Sequence, residues 1–450
     1  MRDRVLKSID VLIEIGWLLI FFFLPLFFAP TVYGTWQISG SFLFQTLVQV
    51  ICFFWLIKII LRGQTSREVG PLQKILRRIL PVVSFIFILG LATIFSQSFY
   101  YSFWGYYLRK MGYLMWLHFF IFFLILFFNL KNRKQISRIF YVIVSAAGIV
   151  IFYGLLQILG MDFLRWSEVS LTGQRVFSTF GQPNFLASWL LLVMPVVLWS
   201  IINLKGYARL KLVFLRPAGI VFFLLTLVIL VFTQSRSAWL SLLLMFFFFT
   251  VVFFWQKGKK KASLSLLAVL LGGIIFLVIL NLHPLPFRED ENPLLVRLKT
   301  FSDLFSAGRL RFFWWKNSWD LIKQKPWFGY GPETMSLSSP HYYQPECAAL
   351  EGINQVPDRA HNDFLDVLLN TGIFGLLAYL FLLVDVFYSG FRSMKFSTVE
   401  DRPIILCLLT GLVGYLFSLQ FSFHVISTAV YFWGYVAIIL RISSGFDYED

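Results

Sequence analysis

Charge is what this sequence has least of: 14% of its 450 residues are Asp, Glu, Lys or Arg, where a soluble domain carries about a quarter. Such a chain could not stay in water, because 58% of its residues are hydrophobic and 19% aromatic, 54 Phe among them. Most of that apolar area must face lipid, which excludes a soluble globular fold. Acids are scarcer than bases, 23 against 39, for a net charge of +16. In a soluble protein that excess would suggest nucleic-acid binding. Here it collects in short segments between apolar runs, where it sets membrane orientation, and no nucleic acid is expected as a partner. Cysteine is also rare: Cys52 and Cys407 lie in apolar runs and Cys347 in a polar loop, so no disulfide framework exists. No small-x-small cleavage site follows the basic residues 1–7 and the apolar run to Ala29, so the first span is expected to be retained.

Apolar runs of about 20 residues predict spans at 10–29, 41–61, 79–96, 112–130, 138–160, 184–202, 213–233, 237–255, 262–281, 363–388, 404–422 and 424–441. The fold class is therefore an all-α polytopic membrane protein with about twelve transmembrane helices. Inner segments then carry 24 Lys and Arg, against five in the short outer loops (Arg109, Lys110, Arg165, Arg175, Arg236), which predicts that both termini are cytoplasmic. The chain divides into 1–281 (helices 1–9), a large extracytoplasmic loop 282–361, and 362–450 (helices 10–12). The loop is too aromatic for a solvated tail. Within it, residues 309–324 read as an amphipathic helix lying on the outer leaflet. Arg311, Trp315, Ser318 and Ile322 recur on one face, widened by Phe312 and Trp319, and Arg309, Lys316, Asp320 and Lys323 fall on another.

Four outward elements carry polar chemistry. They are Arg175 with Phe180-Gly181-Gln182-Pro183-Asn184; the turn Thr233-Gln234-Ser235-Arg236-Ser237; Gly308-Arg309-Leu310-Arg311 leading to Pro326-Trp327-Phe328-Gly329-Tyr330-Gly331-Pro332-Glu333; and Asp358-Arg359-Ala360-His361-Asn362-Asp363, followed by Asn370-Thr371-Gly372-Ile373-Phe374-Gly375. Each is weak alone. In this order over about 175–380, with a large outer loop before the tenth span, they resemble the O-antigen ligase family, together with the related O-antigen polymerases and protein O-oligosaccharyltransferases. The resemblance implies a fold similar to GT-C-type glycosyltransferases, in the bacterial inner membrane with the active site on the outer face. It implies transfer of a glycan from an undecaprenyl (polyprenyl) diphosphate carrier to lipid A core, another glycan or a protein hydroxyl, as in lipopolysaccharide biosynthesis.

A diphosphate is already a good leaving group, so such a catalyst needs cations to hold it and one base for the acceptor hydroxyl. Arginine presents a fixed fork of donors to phosphate oxygens. Arg236 is the sharpest candidate, at a turn where Ser235 and Ser237 add donors and a helix begins; the alternative is an arginine snorkelling at the interface. Arg311 fits the family's loop arginine better than Arg309, with a one-turn ambiguity between them, and either could instead pair with Asp320 or Glu333. Arg175 either guides the diphosphate or caps its loop, and Asn184 is a further candidate for binding the diphosphate or the acceptor. Arg359 either orients His361 or binds the acceptor. His361 is the candidate base, suited to neutral pH; the alternatives are that it caps the tenth helix or pairs with Asp363 or Asp366. Asn362 reads as a cap, and His118, His283, His341 and His424 as packing or interface residues. The acidic run Glu289-Asp290-Glu291 has no His or Cys nearby, and no outer Asp-x-Asp occurs, so neither a metal nor another cofactor is expected. Direct displacement would invert the anomeric centre. The rival from another class, a lipid-linked glycan transporter or flippase, places ionisable residues at mid-membrane. Here they collect at one face.

Overall fold

The computed structural model describes residues 1–29, 37–62, 72–164, 175–203, 209–269, 272, 304–342, 357–396, 398 and 400–444. Among these residues there are helices, turns and no strand. We number the helices α1 (Arg2–Phe23), α2 (Gln37–Arg62), α3 (Leu72–Ile94), α4 (Phe99–Trp104), α5 (Tyr113–Asn129), α6 (Arg133–Ile158), α7 (Pro183–Ile202), α8 (Arg209–Phe232), α9 (Arg236–Gln256), α10 (Leu304–Gln324), α11 (Met335–Ser338), α12 (Asp363–Phe396), α13 (Asp401–Ser418) and α14 (Ile426–Ser443). Nine helices among the described residues are long and apolar enough to cross a bilayer, so this is a multi-pass membrane protein. α5 is a shorter apolar helix, and α1 covers most of the expected first span. Eleven of the twelve expected spans thus coincide with a helix. The expected ninth span, 262–281, is helical over 262–269, and most of its remainder lies outside the described residues.

Hydropathy explains why the bundle is layered. α7, α13 and α14 are almost wholly enclosed and form its centre, where Trp189, Trp433, Tyr415, Tyr431 and Tyr435 are fully buried. α2, α8 and α9 bury few of their residues and turn Phe42, Phe53, Val221 and Phe246 outward, as spans on a lipid-facing rim must. α13 packs on α7 and α9, α12 on α3, α14 on α5, and α1 on α2.

The two ends of the bundle differ in chemistry. At one end Lys58 and Lys131 both reach Asp10 at 2.6 Å, Arg138 meets Glu14 at 2.5 Å, and Arg133 bridges Glu400 and Asp401 at 2.7 and 2.8 Å. At the other end lie the start of α7, α9, α12 and α14 and, among the described residues, five non-glycine positions with positive φ: Lys110, Ser178, Gln234, Glu333 and His361. Left-handed backbone at non-glycine positions costs on the order of 1 kcal/mol each and persists only where the surroundings enforce it.

α10 is longer than the expected 309–324, and its faces are partly corrected. Ser318 and Ile322 are buried and Arg311 and Trp315 half-buried, as the spacing implied, joined by Asn317 and Leu321. Phe312 and Trp319, expected on that same face, are 65% and 51% exposed. They leave the inner face to Arg311, Trp314, Ser318 and Leu321, whose i, i+3, i+4 spacing follows the packed side of the helix more closely.

α12 breaks two and a half turns into its length, at Gly372 (φ 64°, ψ −168°). The break is not left unpaired. Tyr330 and Gly331 donate backbone N–H groups to the carbonyls of Leu369 and Asn370, both at 2.9 Å, and Ile373 donates to Pro326 at 2.8 Å. A Cβ at Gly372 would collide with the Trp327 carbonyl, and one at Gly329 with the Leu369 carbonyl. Glycine is required at both for close approach as well as for φ. This clamp fixes the segment that follows α10 against the outer part of α12.

Candidate active site

Each outward element is held by bonds that its sequence prepares. Arg175 donates through Nε to the Thr233 carbonyl (2.9 Å) and through an Nη to Asn184 Oδ1 (3.1 Å), while the Val176 N–H reaches the Phe232 carbonyl (3.1 Å). Arg175 and Asn184 therefore bind the loop before α7 to the turn between α8 and α9. In that turn Gln234 has φ 51°, the Thr233 hydroxyl accepts from the Ser235 N–H (3.3 Å), and the hydroxyls of Ser235 and Ser237 share a hydrogen bond (3.2 Å). Ser235 occupies the N-cap of α9 without a side-chain cap, and Arg236 is the first residue of the helix.

α10 brings Arg311 to this turn. Burial lowers the Arg311 guanidinium from its ordinary value, and the charge of Arg236 lowers it further. Its Nε is buried without a hydrogen-bond partner, and its guanidinium stands over the Phe421 ring at 5.8 Å. It pairs with neither carboxylate considered from the sequence: Asp320 goes to Lys323 (3.0 Å) and Glu333 to Arg359. The Arg309 side chain lies outside the described residues.

His361 sits one turn further along the same helix face. Its ring stacks on Trp314 (centroids 4.4 Å, 25°) and meets Phe423 edge-on (5.2 Å). Its backbone is left-handed (φ 51°), and Asn362 takes the capping position, accepting from the Leu365 N–H at 3.1 Å and donating to the Gln420 carbonyl at 3.1 Å. Neither candidate carboxylate pairs with it. Asp363 takes the Tyr379 hydroxyl (2.7 Å) and faces His424 Nε2 (3.4 Å), and Asp366 accepts the Ala360 N–H (2.8 Å). Burial, then the charges of Arg311, Arg109 and Arg359, push the His361 imidazole down to about 3. It is therefore neutral near pH 7, with a lone pair available.

Arg359 is enclosed: it pairs with Glu333 and lies over Phe423 at 5.1 Å. Burial, reinforced by Arg109 and opposed by Asp366 and Asp363, lowers it to about 10. The sequence reading left Arg109 out of the site. It pairs with Asp358 and stands over the same Phe423 ring at 5.4 Å. The signal that could have found it is an arginine beside Lys110 in an aromatic outer loop, which by itself is weak. His424, read as packing, is buried in a network with Asp363, Tyr379 and Tyr415 (Nδ1 to hydroxyl 2.9 Å). Among the described residues no three of His, Cys, Asp and Glu gather as a metal would require.

Chemically, the arrangement offers two cations held side by side, a neutral imidazole next to them, and two further guanidiniums each balanced by a carboxylate. Residues 220–380 match the O-antigen ligase family model, which bears out the resemblance read from the sequence over that stretch. The chain is also 27% identical over 253 residues to a general O-oligosaccharyltransferase of Acinetobacter baylyi, covering 54% of this chain and 40% of that protein. It thus spans well under two thirds of that relative's length.

Proposed function

We propose that this chain is a membrane glycosyltransferase of the O-antigen ligase type, moving a glycan from a polyprenyl diphosphate carrier to an acceptor hydroxyl on the outer face of the inner membrane. The observation that carries the reading is the meeting of Arg311 with Arg236 beside the neutral imidazole of His361. The family match over 220–380 supports it, since that stretch contains all three residues.

In this reading Arg236 and Arg311 bind the diphosphate, with the Ser235 and Ser237 hydroxyls and the first amides of α9 as further donors. Arg175 and Asn184 brace the turn that carries Arg236, and Arg309 stays a candidate for the same anion. The acceptor O–H gives its proton to His361 as its oxygen forms a bond to the anomeric carbon. The bond from that carbon to the phosphate oxygen breaks, and the electron pair leaves with the diphosphate, whose charge the two arginines meet. One displacement inverts the anomeric centre, and the proton passes from His361 to water. Nothing in these steps calls for a metal. A polymerase or a protein O-oligosaccharyltransferase would use the same steps with another acceptor, either glycan or protein in place of lipid A core.

Reconstitution with lipid-linked glycan and each acceptor class tests the reading. His361→Ala should lower the single-turnover rate by roughly 10² to 10⁴ with carrier binding little changed. Normal turnover in that variant would remove His361 as the base, and transport of the carrier without glycan transfer would favour a flippase.

A further inference from the structure

We propose that Arg109, on the loop between α4 and α5, is a positioning residue of this site: with Asp358 and Phe423 it holds the turn 357–361 and the His361 ring in place. The inference rests on reading His361 as the base. It reaches outside the 220–380 stretch that the family model covers, to a part of the chain that hydropathy alone described.

Four observations converge on it. First, Arg109 is a deeply placed cation in a loop that is otherwise aromatic, and burial lowers it to about 10 against the opposing charge of Asp366. A residue with this desolvation cost persists only where its fork is used. Second, its partner is Asp358, three residues before His361, so the ion pair ties α4–α5 to the turn. Third, Phe423 is shared. Arg109 lies over it at 5.4 Å, Arg359 at 5.1 Å, and the His361 ring meets it at 5.2 Å, so a shift of Arg109 is passed to the imidazole through one rigid ring. Fourth, Lys110 beside it has a positive φ, a conformation that among the described non-glycine residues is shared by His361 itself, by Glu333, which pairs with Arg359, and by Gln234, two residues before Arg236.

The groups facing His361 come from every neighbouring element: Arg311 and Trp314 from α10, Arg109 from the α4–α5 loop, and Arg359 with Asp358 from its own turn. Glu333 from the segment after α10 pairs with Arg359, and Asp363 and Asp366 from α12 act on that same guanidinium. Arg109 contributes a positive charge that disfavours imidazolium, whereas its ion-pair partner Asp358 is a carboxylate whose loss takes a negative charge from the same turn. Removing one or the other should therefore move the His361 titration in opposite directions, which loss of packing alone could not do.

The test is an imidazole titration by NMR on histidine-labelled full-length protein in nanodiscs, with His361→Gln identifying the signal. Arg109→Met should move the His361 titration upward by at least one pH unit, Arg109→Lys by clearly less, and Asp358→Asn should not move it upward at all. An unmoved titration in Arg109→Met overturns the proposal, as does an equal upward shift in Arg109→Lys or Asp358→Asn. If Arg109→Met does not fold, the Lys and Asn variants still decide, because their predicted directions differ. Turnover is measured on the same samples, where Arg109→Met should lower kcat with the KM for carrier little changed. Shifted titrations with unchanged kcat would support the placement of Arg109 while removing His361 as the base, so the two readings fail separately.

Discussion

Lowering the pH should destabilise this protein through His361 in a way that can be isolated from every other group. In the folded chain the imidazole is held down near 3 by burial and by Arg311, Arg109 and Arg359, whereas in the unfolded chain it titrates near the ordinary value of about 6.5. Below about pH 6.5 the unfolded state takes up a proton that the folded state refuses, so stability falls with falling pH and the loss is complete only below the folded-state value. At pH 5 the unfolded imidazole is about 97% protonated, and the linkage integral gives about 2 kcal/mol. That figure does not change as long as the folded value stays under about 4. The assay is thermal or denaturant unfolding in a mild detergent at pH 8 and pH 5, for wild type and His361→Gln. Subtracting the two proteins removes the carboxylates and the stacking on Trp314, which are common to both pH values. A stability gap that shifts by about 2 kcal/mol against wild type between pH 8 and pH 5 is expected; a gap independent of pH refutes the reasoning. Inorganic pyrophosphate should shrink the effect, because negative charge beside Arg311 offsets part of the repulsion that disfavours imidazolium.

Arg236→Ala should abolish transfer with expression intact, and Arg236→Lys should restore only part of it, since a point charge lacks the fork; full turnover in the alanine variant would take Arg236 out of the site. Transfer should persist in EDTA, and its arrest by chelation with recovery on adding Mg²⁺ or Mn²⁺ would overturn the metal-free steps proposed above. Cysteines introduced in 282–361 should be labelled from outside intact cells, and those in the basic run 257–261 should not; the reverse pattern would invert the orientation.

The helices were legible because membrane spans announce themselves by length and hydropathy. Expected limits such as 184–202 and 237–255 lie within a residue or two of α7 and α9, and 79–96 misses only the extended first turns of α3. Elements of the site were legible as motifs, but their geometry was not. The glycines of Gly329-Tyr330-Gly331 and of Asn370-Thr371-Gly372 stood out separately in the sequence, and only the fold reveals that they exist for each other, one backbone closing on the break in the other. Arg359 and Arg311 look equivalent in sequence. Burial gives one of them a carboxylate and the other a second arginine, a difference set by long-range packing that no local pattern encodes. Phe312 and Trp319 are exposed while Ser318 and Leu321 are buried, a division within one apolar helix that hydropathy does not reveal, because in a lipid environment the exposed face is equally apolar.

Four of the guanidiniums described at this end of the bundle divide by what surrounds them. Arg359 has Glu333 and Arg109 has Asp358, so each is neutral as a pair and each leans on Phe423; such pairs give rigidity and add little net field. Arg311 has no carboxylate partner among the described residues, and the charge that acts on it is that of Arg236. The charge of Arg236 disfavours the charged form of Arg311, and burial of Arg311 adds to that cost. A neutral sugar or a hydroxyl arriving there relieves none of that. An anionic group there offsets the charge of Arg311, and in doing so weakens part of the field that keeps His361 from accepting a proton. In the proposed reaction the imidazole is therefore a stronger base once the anion is in place. Donor binding would then promote acceptor activation because Arg311 acts on both, and the acceptor hydroxyl is less readily deprotonated at an empty site.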